Sequence, residues 1–431
     1  MTANVSTVSL ASILLTLFKD QRDFSLVFKY PIGLRFAMQR PFGAKRSMTT
    51  FAGLMLVLAT TTSCTGATDM LAELRGNSDN AAATYAPPTG EVAIEPTFQF
   101  VRNFSEGLAS ACTAVDPNSP MLGYECGYID REGKWVIEPQ FDEAHDFSGG
   151  LARVAVSGEG ETWASKFGFV DKSGQFVIPT KFKSALDFAD GLAMAWNEED
   201  YADGYIDVTG AWKLRLEPGI RAVGNFHDGL ALAQLESYVK YDKDGIGQFI
   251  EQDQKFGFID KSGKWSIAPK WDIAHRFSEG LAMVGVFDAN RNIAKLGYLD
   301  TAGKFQIKLT NKFTNGLEFS EGLAAVTTGT FGDGPWQFID RNGKLVPNLK
   351  FVALAVPSDS NVETVYGFRG GLVGATRGFE IDGGMRLYNL EGQPEFPQRF
   401  YEVGAYHEGL VKYAESKEMV GMQVPVWGFL K

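Results

Sequence analysis

The residues best able to do chemistry in this 431-residue sequence are its carboxylates, 52 Asp and Glu set against 41 Lys and Arg. Two carboxylates converging on one channel could share general acid and base work on a glycosidic bond. Their spacing points elsewhere. Asp130, Asp171, Asp207, Asp260, Asp300 and Asp340 are each followed three residues later by a glycine, at Gly133, Gly174, Gly210, Gly263, Gly303 and Gly343. An Asp heading Asp-x-x-Gly accepts from turn amides and the Gly supplies φ > 0, so each unit predicts a type I turn with a glycine bulge. Glu106, Glu279, Glu321 and Glu408, each just before a glycine, are expected to be solvated.

The four histidines offer little for metal chemistry. His145 and His275 follow an Ala in equivalent units, and His227 and His407 precede an acidic residue in equivalent units, so the copies are expected far apart in space. The segment Asp242-Lys-Asp244-Gly-Ile-Gly-Gln-Phe-Ile-Glu-Gln-Asp253 has a calcium loop's outline, but Ile246 stands where an oxygen ligand belongs, so a long hairpin is expected there. No nucleophile elbow, phosphate loop or Cys/His zinc pattern is present. The expectation is therefore no catalytic residue, no metal and no cofactor.

The elements that hold these residues repeat. Gly127-Tyr-Ile-Asp130, Gly168-Phe-Val-Asp171, Gly204-Tyr-Ile-Asp207, Gly257-Phe-Ile-Asp260, Gly297-Tyr-Leu-Asp300 and Gln337-Phe-Ile-Asp340 each predict a strand that folds back through the Asp-x-x-Gly turn. The return strand, such as Lys134-Trp-Val-Ile-Glu-Pro139, is expected to stop at its Pro, which lacks a ladder N–H. Beyond it, Phe141, Ala144 and Phe147 stand three apart, which predicts one short helical or tight-turn element before Gly150-Leu-Ala152 opens another strand. Each unit, of roughly 43 residues, is thus expected to be a three-strand meander plus a compact corner. With 48 Gly and 33 Phe, the composition fits an all-β chain.

Gly-[Tyr/Phe]-Ile-Asp-x-x-Gly-Lys-Trp-x-Ile-x-Pro-x-Phe together with Phe-Ser-Glu-Gly-Leu-Ala resembles the bacterial WG, or KWG, repeat family over residues 91–431. The copies weaken toward the end, where Leu387-Tyr-Asn389 stands for the usual pattern. The resemblance implies an architecture and a binding role more than an activity.

Hairpin aromatics fall at Tyr128, Phe169, Tyr205, Phe258, Tyr298, Phe338, Tyr388 and Phe429, and Gly-Leu corners begin at Gly107, Gly150, Gly191, Gly229, Gly280, Gly322, Gly371 and Gly409. The two series are out of phase, so the array starts with a second half-unit and ends with a first. Pairing Trp427-Gly-Phe-Leu430 with Val92-Ala-Ile94 would complete one repeat and remove both edges. The expected fold is a closed eight-repeat β-propeller-like toroid with one repeat split between the termini; the alternative is an open β-solenoid array of repeats.

The first 90 residues carry no repeat. Arg40, Lys45 and Arg46 precede the apolar run Phe51–Ala59 and small residues ending at Cys64. Residues 38–63 therefore predict a signal peptide and resemble a bacterial lipoprotein signal, which implies lipidation of Cys64. Thr61 departs from the aliphatic residue usual at that position, and a plain secretory signal is the alternative. Residues 1–37 are left as an upstream extension or a misassigned start, and 64–90 as a flexible tether. Cys112 and Cys126, on neighbouring predicted strands, form the disulfide candidate in an exported chain.

A net charge of -11 and the lack of a Lys/Arg cluster beyond the N-terminus argue against phosphate-backbone recognition, so no nucleic acid is expected. The functional expectation is an exported, lipid-anchored binding or scaffold module of the cell envelope, periplasmic or surface, taking an unidentified protein, peptide or glycan, with the membrane reached through the anchor. Ligand contacts are expected at the insertions 237–255 and 356–367. A glycan-acting hydrolase using carboxylates in the ring channel and a purely structural spacer are the competing classes.

Overall fold

The computed structural model describes residues 88–431 apart from 117–122, 158–165, 198–201, 242–246, 290–292, 329–333, 356–366, 378–383 and 420–421. The upstream extension, the signal segment, Cys64 and nearly all of the tether lie outside the described residues.

The repeats form an eight-bladed β-propeller. Blade 1 comprises strands Phe100–Val101, Ala109–Ala114, Tyr124–Ile129 and Trp135–Phe141, paired antiparallel in chain order. Blade 2 repeats this with Glu143–Ser148, Leu151–Val156, Lys166–Val170 and Phe176–Phe182. Blades 3 to 6 follow the same plan; blade 4 also carries a two-stranded hairpin, Tyr238–Tyr241 with Gly247–Ile250. Blade 7 is reduced to Ala353–Leu354, Leu372–Thr376 and Arg386–Asn389, with single bridges Met385↔Phe400 and Tyr388↔Pro394 beyond them.

Blade 8 closes the ring. Its strands Glu402–His407, Leu410–Met419 and Met422–Leu430 take their fourth neighbour, Val92–Phe98, from the other end of the array. The pairs Val92↔Leu430, Ile94↔Phe429 and Phe98↔Trp427 complete the repeat, so the closed toroid replaces the open solenoid. Even the turn is rebuilt across the gap. In blade 1 Asp130 N–H donates to Lys134 O and Gly133 N–H to Asp130 O; in blade 8 Lys431 N–H donates to Glu91 O and Gly90 N–H to Lys431 O. Gly90 has φ +79°, matching +78° at Gly133, and so fills the turn-glycine position of a hairpin whose chain is cut inside the turn.

The core lies between blades. Eight hydrophobic clusters occur among the described residues, each drawn from two neighbours, from blades 1 and 2 around Tyr128, Phe141 and Phe147 to blades 8 and 1 around Phe429, Trp427 and Phe104. A blade buries its faces only against the next one, which is why closure matters energetically.

Two glycines recur in most units and are fixed by close approach. The turn glycine of one blade sits on the outer-strand aliphatic of the preceding blade: a Cβ at Gly174 would stand 3.1 Å from Ile137 Cγ2, and one at Gly133 3.0 Å from Ile94 Cγ2. The glycine opening the third strand faces the bulged outer strand of its own blade, so a Cβ at Gly257 would lie 2.6 Å from Ile267 O.

Three sequence expectations are corrected. Pro139, Pro179 and Pro269 do not end the outer strand; they ride in a bulge, after which pairing resumes at Phe141↔Cys126, Phe182↔Phe167 and Trp271↔Phe256. The Ala-x-x-Phe spacing is not helical: Ala144 and Phe147 lie on one extended strand and pair with Val154 and Ala152 around a register shift. Each full blade therefore has four strands, because a bulge adds to a strand the one residue that converts a period of two into a spacing of three.

Candidate functional site

The six Asp-x-x-Gly turns stand on the rim of the blades. In each, the Asp carboxylate accepts from the amides two and four residues on, as in Glu132 N–H and Lys134 N–H to Asp130 Oδ1 at 3.0 and 2.9 Å. The same pair of bonds is made by Asp171, Asp207, Asp260, Asp300 and Asp340. Side-chain and backbone bonds from Ser173 hold Asp171 below the usual carboxylate range, and Ser262 does the same for Asp260. These carboxylates are occupied by the turns they open.

The corners are a second ring. Glu106, Glu279, Glu321 and Glu408 are not simply solvated: Glu106 accepts from Gly150 N–H, Glu321 from Gly371 N–H at 2.8 Å, and Glu408 from Gly107 N–H at 3.0 Å, each in the next blade. Glu279 takes both Glu321 N–H and Gly322 N–H, and Asp190 and Asp228 repeat the bond to Gly229 and Gly280. To aim the carboxylate forward these residues adopt φ between +47° and +53°, a left-handed conformation costly to a side-chain-bearing residue and repaid by charge-assisted bonds. Turn cations reach back to the same groups, as in Arg341 to Glu279 at 3.7 Å and Lys172 to Glu106 at 3.3 Å. Gly149 and Gly370 stand at this position in blades 2 and 7, where the ring of carboxylates is interrupted.

The axis differs from both. The residue before the inner-strand aromatic is Asn103, Asp146, Asp187, Asn225, Arg276, Glu318, Gly367 and Ala405 in blades 1 to 8. This slot and the residue before it change from blade to blade, while the aromatic that follows is Phe in seven blades and Tyr in the eighth. Burial first, and then Arg276 of blade 5, hold the Arg369 guanidinium of blade 7 below its ordinary value, while Glu321, Asp146 and Glu279 act the other way.

Two polar groups are built there. In the first, Arg153 Nε donates to Asp187 Oδ1 at 3.0 Å and its Nη2 stands 2.7 Å from His145 Nδ1. Burial, and then Arg153 and Arg102, hold His145 well below the ordinary histidine range, so its Nδ1 is free to accept. Asn225 joins by accepting from Met194 N–H at 2.7 Å and donating to Asp187 O. In the second, Arg276 Nη1 lies 2.8 Å from His227 Nε2, His275 Nδ1 lies 3.2 Å from Glu318 Oε1, and Arg369 Nη1 lies 3.5 Å from His407 Nδ1. Burial followed by Arg369 and Lys412 keeps His407 well below its usual value. Burial pushes Glu318 up, but His275 and Arg276 outweigh it and the group ends below its ordinary value.

Residues 88–113, 127–158, 167–197 and 256–286 match the family described as WG containing repeat. The chain carries WG repeats. The first matched segment begins at Pro88, beside the Gly90 that completes the closing turn of the WG-repeat propeller. No curated protein matches the sequence. Among solved structures the propeller is similar to puromycin hydrolase, at 10% identity and a TM-score of 0.39, over 63% of this chain and 49% of that one. It is also similar to apo AztD from Citrobacter koseri, at 10% identity and a TM-score of 0.35 over 77% and 98% of the two chains. Oligopeptidase B from Leishmania major is matched at 10% identity and a TM-score of 0.37, over 70% of this chain and 46% of that one. This chain thus spans about half the length of the two hydrolases, and at such identities neither fold nor activity passes from them to it.

Of the remaining candidates, Cys112 and Cys126 are directly opposite on the second and third strands of blade 1, with Cα atoms 4.0 Å apart and their sulfurs joined. The pair is buried in the core shared by blades 1 and 2. Asp242 and Asp244, and most of the insertion at 356–367, lie outside the described residues. Sequence reasoning passed over Arg153, Asp187, Arg276, Glu318 and Arg369. For Asp187, Arg276 and Glu318 the available signal was the pair of changing residues before the recurring inner-strand aromatic.

Proposed function

We propose that this WG-repeat propeller is a binding module, not an enzyme, and that its ligand engages the polar axis. The observation that carries this reading is the contrast between the recurring turns and the changing inner-strand slot, whose Asn225, Arg276 and Glu318 are buried. Burying guanidinium and carboxylate groups costs desolvation energy that a purely structural ring has no need to incur. The proposed partner is a protein, peptide or glycan of the cell envelope, with no nucleic acid. Export behind the segment 38–63 and lipidation at Cys64 belong to the same proposal and are supported by the joined Cys112 and Cys126, a pairing suited to an oxidising compartment.

Titrating the full chain against a panel of envelope oligosaccharides and peptides should yield a ligand whose binding is lost in axial variants and kept in the rim variant Lys213→Ala. Binding that ignores every axial variant would overturn the axial reading, and release of cleavage products in the same incubation would replace it with a hydrolase. Mass spectrometry of the mature N-terminus, with thiol labelling, tests export: a diacylated Cys64 and unlabelled Cys112 and Cys126 are expected, and an unprocessed chain with two reactive thiols would reject it.

A further inference from the structure

The ring of corners repeats one contact and leaves two gaps in it. Each corner sets two residues of positive φ in succession, so that their N–H groups form a concave nest of the kind that takes an anion. In six blades the corner carboxylate of the preceding blade fills the nest, at 2.8 to 3.2 Å from the N–H of the corner glycine. Glu279 takes the N–H groups of both Glu321 and Gly322 in this way. Blades 3 and 8 follow Gly149 and Gly370, which have no side chain to supply. Among the described residues nothing accepts from Gly191 N–H or Gly409 N–H.

The two gaps have different origins. A Cβ at Gly370 would run into the ring of Tyr406, so that corner requires glycine. At Gly149 the nearest atom to a Cβ is Phe188 Cβ at 3.7 Å, an ordinary contact. The φ of +65° at Gly149 is also close to the +47° to +53° that acidic residues adopt at the other corners. Packing therefore admits a carboxylate-bearing residue at 149, and the nest of blade 3 stands open without a steric cause.

The cation is missing together with the anion. Arg131, Lys172, Lys261 and Arg341 follow a turn Asp and reach the corner residue of the preceding blade, at its carboxylate or its carbonyl. In blade 3 that position is Val208, which is 43% exposed. The blade 3 corner thus offers two exposed N–H groups, of Asp190 and Gly191, and an apolar neighbour. A carboxylate brings such amides charge-assisted bonds. The flanking corners carry Glu106 and Asp190, which disfavours a multiply charged anion.

We propose that the blade 3 corner is a docking point for an acidic side chain of a polypeptide partner. Asp190 N–H and Gly191 N–H donate to its carboxylate, as Glu321 N–H and Gly322 N–H donate to Glu279 within the ring. This site lies outside the axial groups and does not depend on the axial reading. The test is an NMR titration of the full chain carrying isotope-labelled glycine, with acetyl-glutamate amide, acetyl-glutamine amide, glucuronate and sulfate as probes. The Gly191 resonance, identified by its loss in Gly191→Ala, should move saturably with the glutamate compound, at a Kd on the order of millimolar. The resonances of Gly229 and Gly280, whose nests are filled, should stay in place, and the glutamine compound should move none of them. Gly149→Glu should abolish the shift by filling the nest from within, and Val208→Lys should tighten the glutamate compound about threefold by restoring the cation. No saturable movement at Gly191, or a shift unchanged in folded Gly149→Glu, would overturn the site. If Gly149→Glu does not fold, Val208→Lys carries the test, and an unchanged affinity there would reject the proposal. Sulfate or glucuronate binding as tightly as the glutamate compound would overturn the assignment to an acidic side chain. Loss of the shift in folded Arg153→Met would return the ligand to the axis and reject the corner, whereas a shift lost only in Gly149→Glu supports it.

Discussion

The rim and the axis of the propeller are made by the same repeat and follow opposite rules. On the rim, Asp130 and its five counterparts cap the same turn with the same two amides, and each turn glycine lies against an aliphatic side chain of the preceding blade. On the axis no two full groups are alike: Arg153 bridges His145 and Asp187, while Arg276 meets His227 and Glu318 meets His275. Rim residues act within one blade and its neighbour, so each copy keeps the same residue for the same reason. Axial residues act as a set drawn from several blades, so each is free to differ.

Removing Val426–Lys431 should break the rim most severely. Trp427, Phe429 and Leu430 are each at most 4% exposed, and their loss alone forfeits about 6 kcal/mol at roughly 2 kcal/mol per large apolar side chain. Thermal melting and limited proteolysis would show it as opening of blade 8, whereas a permuted chain joining Lys431 to Thr89 by two residues should melt close to the parent. A permutant as unstable as the deletion would contradict the split turn.

Next in size is the axis. Arg153→Met takes from the part-buried Asp187 the cation bonded to it and should cost about 3 kcal/mol in denaturant unfolding, with most of that recovered in the Arg153→Met/Asp187→Leu double variant. Full additivity of the two changes would mean that the pair is not coupled.

Within the rim, Gly257→Ala places a methyl 2.6 Å from Ile267 O and should cost about 2 kcal/mol. Gly280→Ala has open space and only its φ of +74° to strain it, so about 1 kcal/mol is expected. Equal melting temperatures for the two variants would remove the steric account of the third-strand glycine.

The smallest effect separates the regions by pH. His145 and His407 are held below the ordinary value of 6.5 in the fold. The unfolded chain therefore takes up their protons first, and stability that is full above pH 6.5 falls as the pH drops through it. Asp203, lifted by burial to about 6, acts in the opposite direction, because the folded state takes up its proton between about 6 and its ordinary 3.8. Between pH 6 and 5 the balance is one proton, a loss of about 1.4 kcal/mol per pH unit. His145→Gln should abolish that slope, and a rim change such as Lys213→Ala should leave it intact.

The number of blades, their antiparallel strands, the Asp-x-x-Gly turns and the split closing repeat were all determined by the sequence alone. They rest on local pattern and on a count of copies, and each copy restates the same constraint. The inner strand reads as a short helical or tight-turn element because a bulge between Ala144 and Phe147 mimics a helical spacing. The prolines read as strand ends because their bulge is visible only in the paired register. Glu106, Glu279, Glu321 and Glu408 read as solvated because their acceptor work lies in the following blade. What only the tertiary structure decided is the axis. Arg153 of blade 2 meets Asp187 of blade 3 and His227 of blade 4 meets Arg276 of blade 5, contacts set by how one blade packs on the next, which no single repeat contains.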